Sequence, residues 1–480
     1  MASRTYAKCV NCQRAITLRI MYRGLCSALA QPQSQADFLN GAPHRKHPGL
    51  NNLKTLSLPE ELQRAAQAVI NDSKVTGLVD RARSLTNFLW SRKRAPEDVF
   101  LRERALSLEK ALWKKAQEKG TVMDSDVLET QIRKKVLSEL RKTTYRWRQM
   151  SYDEELTVIY MTARLAGGYA ALRRALNEIR KRDPPFSPFS LLDFGSGLGT
   201  AVWASHSYWG DTLKEMVCVD SSGPMNTLAE RLLRGGSERA EPHIKQVYFR
   251  QFLPVSPKVQ FDLVVSAFSL SELPCQIERE ETLFTLWRKT SSYLVLVENG
   301  TKEGHQMLMD ARNMLLKKQE KSSQDPRRPF VFAPCPHELP CPKLAQRLPT
   351  PCNFTQLYHP LQLPGVPDQQ TEKFSYLILS RTDPADMQGR AEGVRWARLT
   401  APVLRRPRHV HCQMCSPSGE LQRLVVTSHR HGRDVYRCAR NSDWGDQLPI
   451  IQSEVDTNEV DTNEDVDRLA NGSVNTIHTE

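Results

Sequence analysis

The stretch LLDFGSGLGT, Leu191 to Thr200, decides the fold. An apolar run ends at Asp193. Glycines follow at alternate positions, Gly195, Gly197 and Gly199, with Ser196 between the first two. Glycines in that rhythm let a chain leaving a buried strand turn tightly, and they let a ligand approach the backbone without meeting a Cβ. Further on, the run EMVCVD ends at Asp220, where a carboxylate at a strand end is placed to accept both hydroxyls of a ribose. Glycine loop, spacing and terminal acid together point to a nucleotide-like cofactor. The dinucleotide fingerprint sets its third glycine one position later, where this chain has Thr200.

The D-x-G-x-G-x-G form instead resembles class I S-adenosylmethionine-dependent methyltransferases. That resemblance implies S-adenosylmethionine as the cofactor, with Asp193 near its methionine part. Around the loop, strands are expected at Ser190–Phe194, Met216–Val219, Phe261–Ser266 and Tyr293–Glu298, separated by helical stretches. Such alternation builds a mostly parallel sheet covered on both faces. The run KFSYLILS, Lys373 to Ser380, predicts a further strand, and Leu424–Thr427 and Asp434–Arg437 predict two more in a small β-rich end. The expected fold is α/β: a Rossmann-like methyltransferase sheet preceded by a helical region and followed by a cysteine-rich, metal-binding β region that completes the sheet.

Methyl transfer needs an aligned acceptor and, for a protonated acceptor, a base. The run FDLVVSAFSLSELP brings Phe268, Ser269 and Ser271 to where the methyl group would sit. It lacks the Asn/Asp/Ser-Pro-Pro-aromatic signature of amino-group methyltransferases. Cys275 follows Pro274, but without the further motif of pyrimidine C5 enzymes. Glu272 reads equally as a base or a helix cap. No catalytic set is recognisable, which leaves an active RNA or protein methyltransferase as the alternative to a binding protein built on this fold.

Upstream, RDPPFSPF (Arg182 to Phe189) breaks a helix expected from about Asp153 to Lys181. An earlier helix begins near SLPEELQRAAQAVIN, where Ser57 and Glu60 form a capping-box pattern and Leu62, Ala66, Val69 and Ile70 share a face. The charged stretch Arg133 to Gln149 reads as a solvated helix face or as an arm touching phosphates. Residues 37–56 read as a polar linker. The first thirty-six residues carry Arg4, Lys8, Arg14, Arg19 and Arg23 and no acid, the composition of a mitochondrial presequence. The expected organisation is presequence 1–36, linker 37–56, helical region 57–182, methyltransferase-like domain 183–330, cysteine-rich region 331–450 and an acidic disordered tail 451–480.

The 480 residues carry a formal charge of +13, which favours polyanionic partners, nucleic acid or an anionic membrane surface. No stretch approaches the roughly 18 apolar residues of a membrane span. Eleven cysteines are too few for a disulfide scaffold of this length. Six of them fall between Cys335 and Cys438. In CPHELPCPKLAQRLPTPC, Cys335, Cys341 and Cys352 crowd a proline-stiffened loop, and HVHCQMCSPSG supplies Cys412 and Cys415 as candidate fourth ligands. In a reducing compartment such thiols suit metal ligation better than disulfides. Cysteine followed by proline is familiar from iron–sulfur ligands. The spacing leaves iron–sulfur and zinc both open, with His337, His409 and His411 nearby. Cys9 and Cys12 fall in the presequence, and Cys438 reads as structural within a strand.

APCPHELPCP, Cys352-Asn353-Phe354, RPRHVHCQMCSPSG and the late Trp444-Gly445-Asp446 resemble the C-terminal signature of one family. It comprises the methyltransferase-like proteins that help to assemble the mitochondrial small ribosomal subunit. The resemblance implies a four-iron, four-sulfur cluster on Cys335, Cys341, Cys352 and Cys415, with Cys412 the rival for the last place. It also implies a partner, the immature small subunit with its ribosomal RNA and proteins; the presequence composition sets the expected location as the mitochondrial matrix, and the chain is expected to be monomeric outside the particle. Arg398, Arg405, Arg406, Arg408, Arg430 and Arg433 are candidates for RNA phosphates. Around Arg164 the chain reads LAGGY where family members often carry a proline, so no role is assigned to Arg164.

Overall fold

The computed structural model describes residues 37–39, 41–91, 98–118, 125–143, 150–256, 258–318, 328–383 and 396–449. The expected presequence, the acidic tail and the end of the charged stretch (144–149) lie outside them. Among the described residues two short 3-10 helices, Asp37–Leu39 and His44–Lys46, are followed by five α-helices: α1 (Glu60–Asp72), α2 (Leu78–Ser91), α3 (Asp98–Glu118), α4 (Ser125–Thr143) and α5 (Glu154–Arg182). The alternating unit follows as β1 (Ser190–Phe194), α6 (Thr200–Trp209), β2 (Glu215–Val219), α7 (Gly223–Leu233), β3 (Val247–Arg250), β4 (Phe261–Ala267), α8 (Gln276–Arg288), β5 (Thr290–Asn299) and α9 (Lys302–Lys318). Three more strands, β6 (Phe330–Ala333), β7 (Phe354–Tyr358) and β8 (Gln370–Ser380), complete the large sheet. A small lobe closes the chain with β9 (Ala397–Leu399), β10 (Leu404–Arg405), β11 (His409–Cys415), β12 (Leu421–Thr427), α10 (Ser428–His431), α11 (Arg433–Asn441) and β13 (Gln447–Leu448).

The large sheet runs in the order β3-β2-β1-β4-β5-β8-β6, with β7 also paired to β8. The first five strands are parallel, and β8 is antiparallel to its neighbours. Side chains alternate across it as the pleat demands. Leu191 packs with Ala201 and Val202 on one face, and Leu192 with Leu286 and Leu308 on the other. The chain order reverses between β1 and β4, and in such sheets ligands bind at the carboxyl ends of the strands flanking that point.

Helix α5 is the long element behind this sheet. Asp153 caps it, accepting the Leu156 N–H at 2.7 Å, and Arg180, Lys181 and Arg182 suit the negative end of its dipole. Its burial is nearly all round through the middle, because α1, α2, α6, α7 and strands of the sheet all pack against it.

Several expectations need correction. The capping box does not form: α1 starts at Glu60 with Pro59 in the cap position and no side-chain cap bond, so Glu60 sits too early to reach back. Residues 44–56 are no free linker. His47 and Asn51 are buried, and the Leu56 N–H pairs with the Leu357 carbonyl. Cys438 lies in a helix, not a strand; Val435, Cys438 and Ala439 are buried at helical spacing, so the 3.6-residue period wins over alternation. The C-terminal strands only partly complete the large sheet, since β9 to β13 form a separate five-stranded one. Among the described residues, no helix is long and apolar enough to cross a membrane.

Candidate functional site

The glycine loop sits where the reversal of strand order places it. Gly195, Gly197 and Gly199 all have positive φ, between 48° and 68°, which explains their selection. A Cβ on Gly195 would collide with the Ser269 side chain at the end of β4. The Asp220 carboxylate clamps the loop from β2: its Oδ2 accepts the Gly197 N–H at 2.8 Å and its Oδ1 the Ser222 N–H at 2.9 Å. Asp220 lies beside the loop and is not among the residues lining the cleft.

That cleft holds about 430 Å³, counting its open mouth, between the loop, the end of β4 and the inner face of α5. Asp193, Gly195, Ser196 and Gly197 line it, opposite Tyr160, Arg164, Gly168 and Phe268. Asp193 is 2% exposed, and its Oδ2 has no hydrogen-bond partner. Burial, and then the like charge of Asp220, pushes its carboxyl up to about 8. A buried, unpartnered acid is costly by itself. It suits a ligand that brings a positive charge, as S-adenosylmethionine does with its sulfonium and amino groups.

Sequence reasoning missed Arg164. Its guanidinium donates to Glu372 at 3.1 and 3.3 Å and to Asn299 at 3.3 Å, and lies 4.7 Å from the centre of the Phe268 ring. Phe268 itself has φ 58°, a strained setting for a bulky residue at the mouth of a site. The LAGGY glycines make this possible: a Cβ on Gly167 would strike the Glu372 carboxylate, and Gly168 leaves the cleft floor open. The partner, Glu372, lies 208 residues away in sequence, so no local pattern signals the pair.

The cysteines gather at the seam between the large sheet and the small lobe. Cys335, Cys341 and Cys352 sit on the loop between β6 and β7, and Cys415 ends β11. Burial pushes Cys335 up to about 11 and Cys352 up to about 12, and pushes Cys415 further up. After burial, the charges of Cys335, Cys352 and Cys341 act on Cys415, and those of Cys335 and Cys341 on Cys352. Cys335, Cys341 and Cys352 are thus near enough for their charges to act on Cys415. Cys412 does not belong with them. Three positions from Cys415 on a strand, it faces the opposite way, into the lobe core with Val410, Met414 and Cys438, and Arg405 is the charge that acts on it.

Buried cations surround the thiol loop. Arg312 donates to the carbonyls of His337 and Leu339 at 3.0 and 2.8 Å, and Lys343 to those of Pro351 and Thr400. Arg398 donates to the Pro334 carbonyl at 3.0 Å. His337 Nε2 lies 3.1 Å from Cys415 Sγ. Among the described residues, no three His, Cys, Asp or Glu side chains are drawn together as metal ligands. The donor set is of the kind that would hold an iron–sulfur cluster: Cys335, Cys341 and Cys352 are half-buried and Cys415 is buried, and Arg312, Lys343 and Arg398 stand near the loop with positive charge that would offset thiolates there.

Arg398 is also misplaced by the expectation that it meets RNA. It is 1% exposed, and its two terminal nitrogens donate to Glu178 at 2.6 and 3.1 Å. Arg405, Arg406, Arg408, Arg430 and Arg433 do lie exposed on the lobe.

The family model described as mitochondrial small ribosomal subunit Rsm22 matches residues 154–449. The chain is 51% identical over 427 residues to the human mitochondrial ribosome assembly protein METTL17, covering 89% of this chain and 90% of that one. It is 25% identical over 314 residues to the mitochondrial Rsm22-cox11 tandem protein 2 of Schizosaccharomyces pombe, covering 59% of this chain and 41% of that one. Among solved structures it resembles the magnesium protoporphyrin IX methyltransferase of Synechocystis PCC 6803, at 12% identity and a TM-score of 0.30, over 51% of this chain and 94% of that one.

Proposed function

This chain belongs to the Rsm22 family of the mitochondrial small ribosomal subunit, and on that premise we propose that it is an assembly factor for that subunit in the mitochondrial matrix. It docks as a monomer on immature ribosomal RNA and ribosomal proteins. The 51% identity with a human mitochondrial ribosome assembly protein, extending over nearly the whole of both chains, carries the reading. The exposed arginines of the small lobe supply the surface for RNA phosphates.

In this reading Asp193, Gly195, Ser196, Gly197 and Gly199 hold S-adenosylmethionine, with Asp220 at its ribose. The cofactor brings a transferable methyl group and positive charge. Asp193 orients it, the glycine backbone admits it, and Tyr160, Arg164 and Phe268 close the far side. Cys335, Cys341, Cys352 and Cys415 hold a four-iron, four-sulfur cluster, which supplies cross-linking between the loop and β11. Because such ligation couples to folding, the lobe depends on it for its position on the large sheet. Both groups then shape a docking surface, and turnover is not required of either.

The test is rescue of small-subunit assembly in mitochondria lacking the factor, read by sedimentation and translation, alongside methyl incorporation into the subunit's RNA and proteins. The wild-type chain should restore the subunit and Cys415→Ala should not, with no label dependent on the protein. Label that appears in the RNA or in a protein band and vanishes with Asp193→Asn would establish the enzyme instead.

A further inference from the structure

A second cleft of about 620 Å³, counting its open mouth, lies at the carboxyl ends of β4 and β5 under the start of α9. It meets the cofactor cleft along Tyr160, Arg164 and Phe268, which line both. Three carboxylates, Glu272, Glu298 and Glu303, line it together with the neutral polar side chains of Ser271, Asn299 and Thr301. In a chain of net charge +13, a concave acidic site is out of keeping with the rest of the molecule. Two cations stand near it. Arg164 pairs with Glu372 at 3.1 Å, and Arg279 feels the charges of Asp310, Glu280 and Glu298, so it offsets only part of the cleft's acidity.

Glu298 is the decisive group. It is 1% exposed, its Oε1 accepts the Ser271 N–H at 3.1 Å, and its Oε2 has no hydrogen-bond partner. A buried acceptor left unmade costs about 1–3 kcal/mol, more when charged; burial pushes this carboxyl up to about 7, and a cationic donor entering the cleft would both fill the acceptor and hold it ionised. The phosphates of an RNA strand would be repelled by the three carboxylates. An ammonium or guanidinium carries donors alone, and the Tyr160 ring adds a face that attracts cations, as the Phe268 ring already does for Arg164.

We propose that this second cleft binds a cationic side chain, lysine ammonium or arginine guanidinium, presented by a basic protein segment. The proposal rests on the reading of the chain as a docking factor and names the chemistry of one partner. It is tested by calorimetric titration of the full chain with agmatine and with N-acetyl-lysine methylamide, against uncharged N-acetyl-norleucine methylamide and cytidine monophosphate. The cations should bind near about millimolar, and Glu298→Gln should weaken them about tenfold or more. Glu303→Gln, at an exposed position in the first turn of α9, should weaken them about threefold at fixed salt. Asp193→Asn should leave them unchanged, which separates this cleft from the cofactor site. Equal affinity in the Glu298→Gln and Glu303→Gln chains, preference for cytidine monophosphate, or no binding by either cation would overturn it. Failed subunit rescue with cation binding intact would count against the assembly role and leave this cleft standing.

Discussion

Replacing Glu178 by glutamine should destabilise this protein more than any surface charge change, because so much converges on that carboxylate. Glu178 is fully buried. Its Oε1 accepts from Arg398 at 2.6 Å, from Asn51 at 2.7 Å and from the Tyr376 hydroxyl at 2.8 Å. Its Oε2 accepts from Arg398 at 3.1 Å and Arg182 at 3.4 Å, and Arg174 lies 3.6 Å away. Burial alone would raise its pKa; Arg398, Arg182 and Arg174 more than reverse that and hold the carboxyl well below the usual range. Glutamine keeps the shape, removes the charge and turns an amide N–H₂ toward guanidinia that remain buried. Removing one partner of such a network costs about 3–5 kcal/mol. Urea unfolding followed by tryptophan fluorescence measures it, with Arg398→Met and the double variant completing a cycle whose coupling should exceed about 1 kcal/mol. The sign with pH follows from the depressed pKa: the stabilisation is present above the ordinary carboxylate value of 4.5 and is lost as pH falls below it, so the glutamine chain should lack that acid limb. A loss under about 1 kcal/mol, or strict additivity, would refute the idea that Glu178 joins the N-terminal segment, the sheet and the lobe.

Burial, then Lys181 and His44, holds the His47 imidazole down at about 4 against 6.5. Its neutral form therefore contributes stability present above pH 6.5 and lost toward pH 4, about 3 kcal/mol in all, which urea unfolding of wild type and His47→Gln at pH 7 and pH 4.5 should reveal as a flatter limb in the variant. After anaerobic purification, Cys415→Ala should lose iron and acid-labile sulfide while Cys412→Ala keeps both. Equal loss in the two, or stoichiometric zinc without colour in the wild type, would sink the ligand assignment. For Asp193 the folded pKa is raised, so its contribution is most favourable below pH 3.8 and declines as pH rises toward 8. Asp193→Asn should accordingly raise the melting temperature of the cofactor-free protein at pH 8 while weakening S-adenosylmethionine about tenfold by calorimetry.

The parts legible in the sequence are those set by local pattern. The apolar run and glycine rhythm of 191–200 place β1 and the loop, and the alternation around them yields β2, β4, β5 and β8 within a few residues. Helix α5 begins and ends where its cap and the following prolines require. What escaped depends on distant neighbours. Arg398 reads as a surface cation because an arginine in a basic run usually is one, and only Glu178, 220 residues away, draws it inside. The Arg164–Glu372 pair is hidden for the same reason. Cys412 and Cys415 look equivalent as ligands until their strand is known; then an odd separation sends them to opposite faces. The short edge strand β3 and the loop strands β6 and β7 lack enough alternation to declare themselves.

These long-range contacts share one element. Arg164 and Glu178 lie 14 residues apart on α5, about 21 Å along its axis, and each is tied to β8, through Glu372 and Tyr376 respectively. One end of α5 lines the cofactor cleft, and the other anchors Arg398, which in turn grips Pro334 beside the thiol loop. The helix cannot shift at one end without straining charge pairs at the other, where unpaired partners are expensive. Under the proposed assembly role, that linkage would hold cleft and lobe in one fixed placement for a docking partner.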